Sequence, residues 1–469
     1  MTARKSSPTA RPKSARRSKP KPVSAATASR PAVAPAPAAT RDRHPLTGND
    51  IRTLVLSALG GALEFYDFII FVYFVTVLGH LFFPPEIPQW LVQLQAFGIF
   101  AAGYLARPLG GIVMAHFGDT MGRKRMFTLS IFLMALSTLG ISFLPSYATI
   151  GYAAPVLLLL MRVLQGAAIG GEVPGAWVFV SEHVPRRHVG LACGILTCGL
   201  TAGILLGSLV ATAINTVFTP ADILAYAWRI PFLLGGVFGF ISVYLRRWLQ
   251  ETPVFKEMKA RRELAAELPL KVVLHRHGPA VVVSMLLTWV LTGGIVVVIL
   301  MTPTLLQTRY GISAPVALQA NSVATFFLSI GCVLAGTLCD RFGGGRVLAL
   351  GGVALGAATY ALYTLVGPRP DLLMPLYGLA GLTVGVIGAV PYLLVRAFPP
   401  AVAFSGVSFS YNVAYAVFGG LTPLAVTLAL QVDPLAHAHY LLLISALGVG
   451  VGLYVALTGR KSVAAPARA

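Results

Sequence analysis

The chain has 469 residues, of which 56% are hydrophobic and only 11% charged, with a net charge of +20; soluble domains carry roughly 25% charged residues. That balance excludes an ordinary water-soluble core and makes the bilayer the solvent. It does not point to nucleic acid either: the eleven Lys and Arg between Met1 and His44, against the single acid Asp42, have no aromatic residue among them before Phe65.

Residues 1–50 form a Pro-, Ala-, Ser- and Lys/Arg-rich tail without apolar periodicity, which predicts a disordered cytoplasmic segment suited to anionic lipid. No apolar core of signal-peptide length interrupts it. From Ile51 the chain reads as apolar runs long enough to cross a hydrocarbon layer of about 30 Å. Twelve spans are predicted near 52–79, 91–116, 124–144, 153–180, 188–215, 229–249, 278–306, 317–339, 346–366, 372–395, 405–430 and 438–458. The fold class is therefore an all-α membrane protein of two six-helix halves, 51–249 and 278–459. A charged cytoplasmic linker, 250–277, joins them, and a short tail, 460–469, ends the chain. Kinks are expected at Pro174, Pro303 and Pro391.

Basic residues set the orientation. Arg123, Lys124, Arg125, Arg186, Arg187, the cluster from Arg246 to Arg276, Arg341, Arg346, Arg396, Arg460 and Lys461 fall on one side. Only Arg229, Arg309 and Arg369 fall on the other, so both termini are expected in the cytoplasm of a bacterial inner membrane. Gly199, Gly203 and Gly207 recur every four residues, as do Gly166 and Gly170, and predict close helix packing. Cys193, Cys198, Cys332 and Cys339 lie in apolar segments without metal spacing and read as small core residues.

A charged turn follows the second span, where Ala106 to Arg125 contains Arg107, Gly118, Asp119, Gly122 and Arg123. Its echo, Asp340-Arg341-Phe-Gly343-Gly-Gly-Arg346, follows the eighth and suggests an internal repeat.

Charges at bilayer depth cost about 2.5–3.5 kcal/mol each on insertion scales and are functional candidates. Glu64 and Asp67 share a face of the first span at i, i+3, and Arg162, with Gln165 one turn later, sits mid-way along the fourth. At 1.5 Å rise per residue, Glu64 is roughly 18 Å from the inner end of its span and Arg162 roughly 14 Å from the outer end of its own. They could meet as a static ion pair that fixes packing, or as a coupling site. In the second case a carboxyl carries a proton, Asp67 being favoured slightly over Glu64, and Arg162 holds an anionic substrate. Burial favours the neutral acid and a nearby arginine the ionised one, so a ligand on Arg162 would promote protonation. Tyr66, Gln165, Asn412 and Tyr415 are further candidates for substrate contact. Without H-E-x-x-H, a G-x-S-x-G elbow or a Walker P-loop, neither an enzyme nor ATP coupling is expected.

The six-plus-six layout and the G-D-x-x-G-R-K turn resemble the major facilitator superfamily. L-E-F-Y-D-F at 63–68, A-R-P-L-G-G at 106–111, R-V-L-Q-G-A-A-I-G-G-E at 162–172 and S-Y-N-V-A-Y-A-V-F-G-G-L-T-P at 410–423 resemble, more narrowly, its metabolite:proton symporters. W-R-I-P-F-L-L at 228–234 and R-R-W-L-Q-E-T-P-V-F at 246–255 add to that, so the resemblance extends over most of the chain beyond the tail. It implies that spans 1, 4, 7 and 10 line a central cavity about which the halves rock. It also implies a cytoplasmic gate in which Asp119 faces the N-terminus of the eleventh span near Ser405, and Arg123 pairs with Glu182. The second copy has Gly344 and Gly345 in place of Arg123 and Lys124, which predicts a weaker latch at Asp340 and Arg341. Ala401 and Ala403 stand where the family pattern has basic residues, and Phe65 replaces the commoner Trp.

The leading expectation is proton-coupled import of a small organic acid anion by alternating access. The alternative is a zwitterionic osmolyte importer of the betaine/proline type, and further behind stands a drug/proton antiporter, because G-L-T-A-G-I-L-L-G in the fifth span lacks the usual Gly-Pro pair. The expected partners are a small substrate, protons and lipid, with no nucleic acid. The proton gradient replaces any cofactor, and a monomer is expected.

Overall fold

Thr47 opens the first helix: its hydroxyl accepts the Asp50 N–H, and the Asp50 carboxylate accepts the Thr47 N–H in return. That reciprocal pair satisfies amide groups the helix start would otherwise leave bare. The computed structural model describes residues 46–121, 123–170, 172–246, 269–399 and 402–463. The side chains of 112–128 and of several helix ends lie outside that description.

Helices occupy all twelve predicted stretches. In chain order they are α1 (Gly48–Tyr73) continued by α2 (Val75–Phe82), α3 (Gln89–Met121), α4 (Arg123–Phe143), and α5 (Ala153–Ile169) continued by α6 (Glu172–His183). Then come α7 (Val189–Val217) and α8 (Arg229–Arg246). The second half runs α9 (Gly278–Gly293) into α10 (Thr302–Thr308), then α11 (Ala314–Phe342) and α12 (Gly344–Leu365). It ends with α13 (Leu373–Val384) into α14 (Ala389–Ala397), α15 (Ala403–Ala414) into α16 (Gly420–Ala429), and α17 (Ala436–Val463). Among the described residues nine helical runs are long and apolar enough to cross a membrane, or ten if the bent pair Pro220–Ala227 and Arg229–Tyr244 counts as one. No strand occurs among them. The outer surface carries exposed Leu, Val and Phe such as Leu109, Phe132, Val217 and Leu350, which suits lipid rather than water. A helix at Pro269–Arg276 falls in the expected linker.

Proline effects are local and compensated. Ahead of Pro303 the backbone widens into a π-helical stretch, Gly294–Met301. There the Val297 carbonyl accepts the Thr302 hydroxyl at 2.8 Å and the Val298 carbonyl accepts the Tyr377 hydroxyl at 2.6 Å. The Val297 carbonyl keeps a backbone partner as well, the Thr302 N–H, and Tyr377 supplies one to Val298, so side chains help satisfy the carbonyls of an irregular helix at membrane depth.

The small-residue faces act as expected. A Cβ at Gly199 or Gly203 would collide with the backbone of Ala58 or Ala62 on α1. Gly166 and Gly170 likewise let α5 lie directly on Gly103 and Arg107 of α3. Across the middle, α7 packs along α11, and α3 packs along the α15–α16 pair. Cys193, Cys332 and Cys339 are buried free thiols in the first of these seams, as core residues should be.

Candidate functional site

Glu64 and Asp67 do share one face of α1, but that face meets α8 rather than Arg162. Ser242 donates to the Glu64 carboxylate at 3.5 Å. The Asp67 carboxylate is fully enclosed against Gly235 and Gly239, where an added Cβ would come within 2.7 and 3.1 Å of its oxygens. Neither Asp67 oxygen has a hydrogen-bond partner. Tyr66, one residue earlier, donates to the Pro231 carbonyl at 2.9 Å and packs edge-on to Phe238. The three side chains of L-E-F-Y-D-F that carry polarity therefore all address the sixth span.

Arg162 is also fully buried, and its surroundings are aromatic. Its guanidinium lies 4.4 Å from the Phe68 ring, 4.5 Å from Phe71 and 5.3 Å from Phe100. Its Nη1 donates to the Phe68 carbonyl at 3.1 Å and to Gln165 Oε1, while Nε and Nη2 find no acceptor. Gln165 passes the connection on, donating to the Asp67 carbonyl at 2.9 Å and to Thr138 Oγ at 2.6 Å. Arg162 and Asp67 are thus joined through Gln165 and backbone. No direct ion pair links Arg162 to either carboxylate, which differs from the meeting that depth alone suggested.

Asn412 and Tyr415 lie on the eleventh span, facing the first half. The Asn412 amide donates to the Gly170 carbonyl and to the Ser408 carbonyl, the latter at 3.0 Å. Tyr415 packs with a tilted ring against Tyr104 of α3 at 5.0 Å and against Tyr411 at 4.9 Å. Between these rings sits Arg107, only 1% exposed, 4.5 Å from Tyr415, 5.6 Å from Tyr411 and 5.7 Å from Tyr104. This cage went unread in the sequence, although an intramembrane arginine and two tyrosines at i, i+4 were signals for it.

A void no larger than about one water molecule lies between the halves, walled by Phe65, Trp177, Thr197, Thr201, Tyr411 and Tyr415 among others, with no charged residue in its lining. Trp177 meets Tyr411 edge-on at 5.0 Å. Spans 1, 4 and 7 contribute to the wall of this void, together with spans 5 and 11.

The two ends differ. At one end the Asp340 carboxylate on α11 accepts the Gly190 and Leu191 N–H groups at 2.8 Å each, at the start of α7 in the other half. A carboxylate there answers both the unpaired amides and the helix dipole. Arg341 points to the surface, and Glu182 is exposed. Gly118 and Asp119 fall in the last turns of α3 and Arg123 opens α4, but their side chains, Gly122 itself and with them the Arg123–Glu182 pairing lie outside the description. At the opposite end an open cleft between α3, α10 and α16 is lined by Gln89, Trp90, Gln93, Thr304, Arg309 and Gln431. Deeper in the seam Thr201 meets Ser329 at 2.8 Å, Ser208 meets Ser322 at 2.9 Å, and Asn321 donates to Tyr73 at 3.0 Å.

Known proteins resemble this chain in sequence and in fold. The family model described as Major Facilitator Superfamily matches residues 58–423. An Escherichia coli K12 protein named inner membrane metabolite transport protein YhjE is 34% identical over 79% of this chain and 86% of its own. The glycine betaine/proline/ectoine/pipecolic acid transporter OusA of Dickeya dadantii is 30% identical over 87% of this chain and 84% of its own. In fold, the chain is similar to the proton:xylose symporter XylE in a sugar-analogue complex, with TM-score 0.71, 16% identity and coverage of 87% and 95%.

Proposed function

Because this chain belongs to the major facilitator superfamily and is a multi-pass membrane transporter, we propose that it imports a zwitterionic osmolyte of the betaine/proline type with protons. The observation that carries this reading is the aromatic seam of Phe65, Trp177, Tyr411 and Tyr415 between the halves, closed in this state and without a lining charge. Aromatic faces attract an alkylammonium through their quadrupoles, and the threonines offer hydroxyls to a small polar solute. Likeness to OusA supports the same class. The organic-acid reading rested on Arg162, whose guanidinium looks onto Phe68, Phe71 and Phe100 within its own half. The aromatic seam favours the osmolyte.

Asp67 is the proton carrier in this reading. An ionised carboxylate sealed without a donor is costly, so the enclosed Asp67 carries its proton here and releases it when α8 moves away from Gly235 and Gly239. Glu64, already hydrogen-bonded by Ser242, is its auxiliary. The halves 51–249 and 278–459 rock as units about the cavity, joined by the linker 250–277. The basic loops put both termini, the Asp340 latch and the Asn412–Gly170 contact on the cytoplasmic side of the cell membrane. The cleft at Trp90 and Arg309 then faces outward, giving a state closed inwardly. Asp119 and Arg123 act as a parallel cytoplasmic latch. The transporter works as a monomer with no cofactor beyond the proton gradient.

A zwitterion carried with one proton moves one net charge, so both the pH gradient and the potential drive it. Through 100 mV that is about 2.3 kcal/mol, or roughly fiftyfold accumulation. Proteoliposomes given an inside-negative potassium diffusion potential should concentrate labelled betaine or proline and lose it on adding a protonophore. Concentration of citrate or 2-oxoglutarate, with none of betaine or proline, would overturn the reading in favour of organic acids.

A further inference from the structure

Among the described residues of the first half two arginines are fully buried, and one of these, Arg107, faces the other half. The cage around Arg162 comes from α1 and α3 alone, so relative motion of the halves leaves it intact. The cage around Arg107 comes from Tyr104 on α3 and from Tyr411 and Tyr415 on the eleventh span. Its Nε and Nη2, the edge of the guanidinium that presents a parallel fork, have no acceptor among the described residues. A cation held in the dry interior with half its donors idle is expensive and calls for an anion.

Tyr411 and Tyr415 have a second duty. Besides flanking Arg107 they line the inter-half seam, together with Phe65 and Trp177. An unpaired guanidinium and an uncharged aromatic box therefore adjoin one tyrosine pair. The chemistry that matches is a short zwitterion, with a carboxylate one or two carbons from an alkylated ammonium. The carboxylate would take the planar fork bidentately, and the ammonium would lie over the Trp and Tyr faces.

We propose that Arg107, framed by Tyr104, Tyr411 and Tyr415, is the residue that binds the substrate's carboxylate, and that Phe65, Trp177, Tyr411 and Tyr415 form the subsite for its ammonium. The ammonium half rests on the osmolyte reading above; the carboxylate half does not. Because the fork belongs to one half and two of the tyrosines to the other, a ligand seated there contacts both halves at once. Arg162, with Gln165, becomes a positioning residue for the Asp67 backbone.

The test is ligand binding by the full-length protein in lipid nanodiscs, with glycine betaine, choline as a cation lacking the carboxylate, and isobutyrate as a carboxylate lacking the cation. Arg107→Gln should weaken betaine on the order of thirtyfold or more, as expected for removing one partner of a buried charge pair, and leave weak choline binding within twofold. Trp177→Ala should weaken betaine and choline alike and leave isobutyrate unchanged. Arg107→Lys, which keeps the charge but loses the fork, should weaken betaine about tenfold and decides the matter if the glutamine variant does not fold. Betaine affinity within twofold of wild type in either folded Arg107 variant overturns the proposal. If the wild type binds neither betaine nor proline but does bind citrate or 2-oxoglutarate, the osmolyte reading and the ammonium subsite fall. The carboxylate seat is then judged on that acid, supported by its loss in Arg107→Gln and overturned by its retention.

Discussion

Asp340→Asn isolates the contact that holds α7 of one half to α11 of the other. In the wild type both carboxylate oxygens accept backbone N–H groups at 2.8 Å, from Gly190 and Leu191. Hydrogen bonds to a charged group contribute about 1.5–3 kcal/mol each when well enclosed, and the helix dipole adds about 0.3–1 kcal/mol. Asp340 is only partly buried, so solvent screening reduces these figures. An asparagine retains one acceptor oxygen and loses the charge, which leaves an expected loss of about 1.4 kcal/mol and a tenfold rise in the population open at this end. The chain carries its own reporters, because Cys193 on α7 and Cys339 on α11 are buried beside the latch. With Cys198 replaced by alanine, maleimide labelling of Cys193 and Cys339, read by peptide mass spectrometry, should proceed about tenfold faster in Asp340→Asn. Equal labelling rates in a folded variant would show that the latch does not govern opening.

Asn412→Ala removes the donor to the Gly170 carbonyl, a second contact between the halves that lies deeper than Asp340, and should also speed cysteine labelling, by about threefold to tenfold for a net bond of roughly 1 kcal/mol; protection equal to wild type would exclude it from the gate. Asp67→Asn should abolish concentrative uptake, from roughly fiftyfold at 100 mV to equilibration, while substrate counterflow continues. Equal loss of both activities would make Asp67 a substrate-binding or structural group. Gly203→Ala places a methyl group against the Ala62 carbonyl and within 3.0 Å of Phe65 Cβ, and overpacking of that kind costs about 1–3 kcal/mol. The midpoint of thermal unfolding in detergent should fall; an unchanged midpoint would mean that α7 separates from α1 without strain.

Much of the architecture was legible because the bilayer writes it in one dimension. Length and hydropathy locate the spans, small residues every four positions mark crossings such as that of α7, through Gly199 and Gly203, over α1, and an i, i+3 spacing puts Glu64 and Asp67 on one face. The partner of that face was not legible. Rise per residue gives depth, but the rotation of a helix about its own axis depends on how all its neighbours pack. That is why two charges at matching depth, Glu64 and Arg162, address different helices. Latch partners are hidden for another reason: Asp340 binds backbone amides, which every residue possesses, so no side-chain signal announces Gly190 and Leu191.

The sequence by itself determined the solvent, the helical class, the family likeness and the short roster of buried charges, since each follows from composition and spacing along the chain. Only the tertiary structure decided which arginine faces the opposite half. Packing encloses Arg162 among rings of its own half and sets Arg107 among tyrosines from both halves, a difference that no spacing along the chain announces. The energy of a buried charge depends on what surrounds it in three dimensions, and those neighbours lie up to about three hundred residues away along the chain.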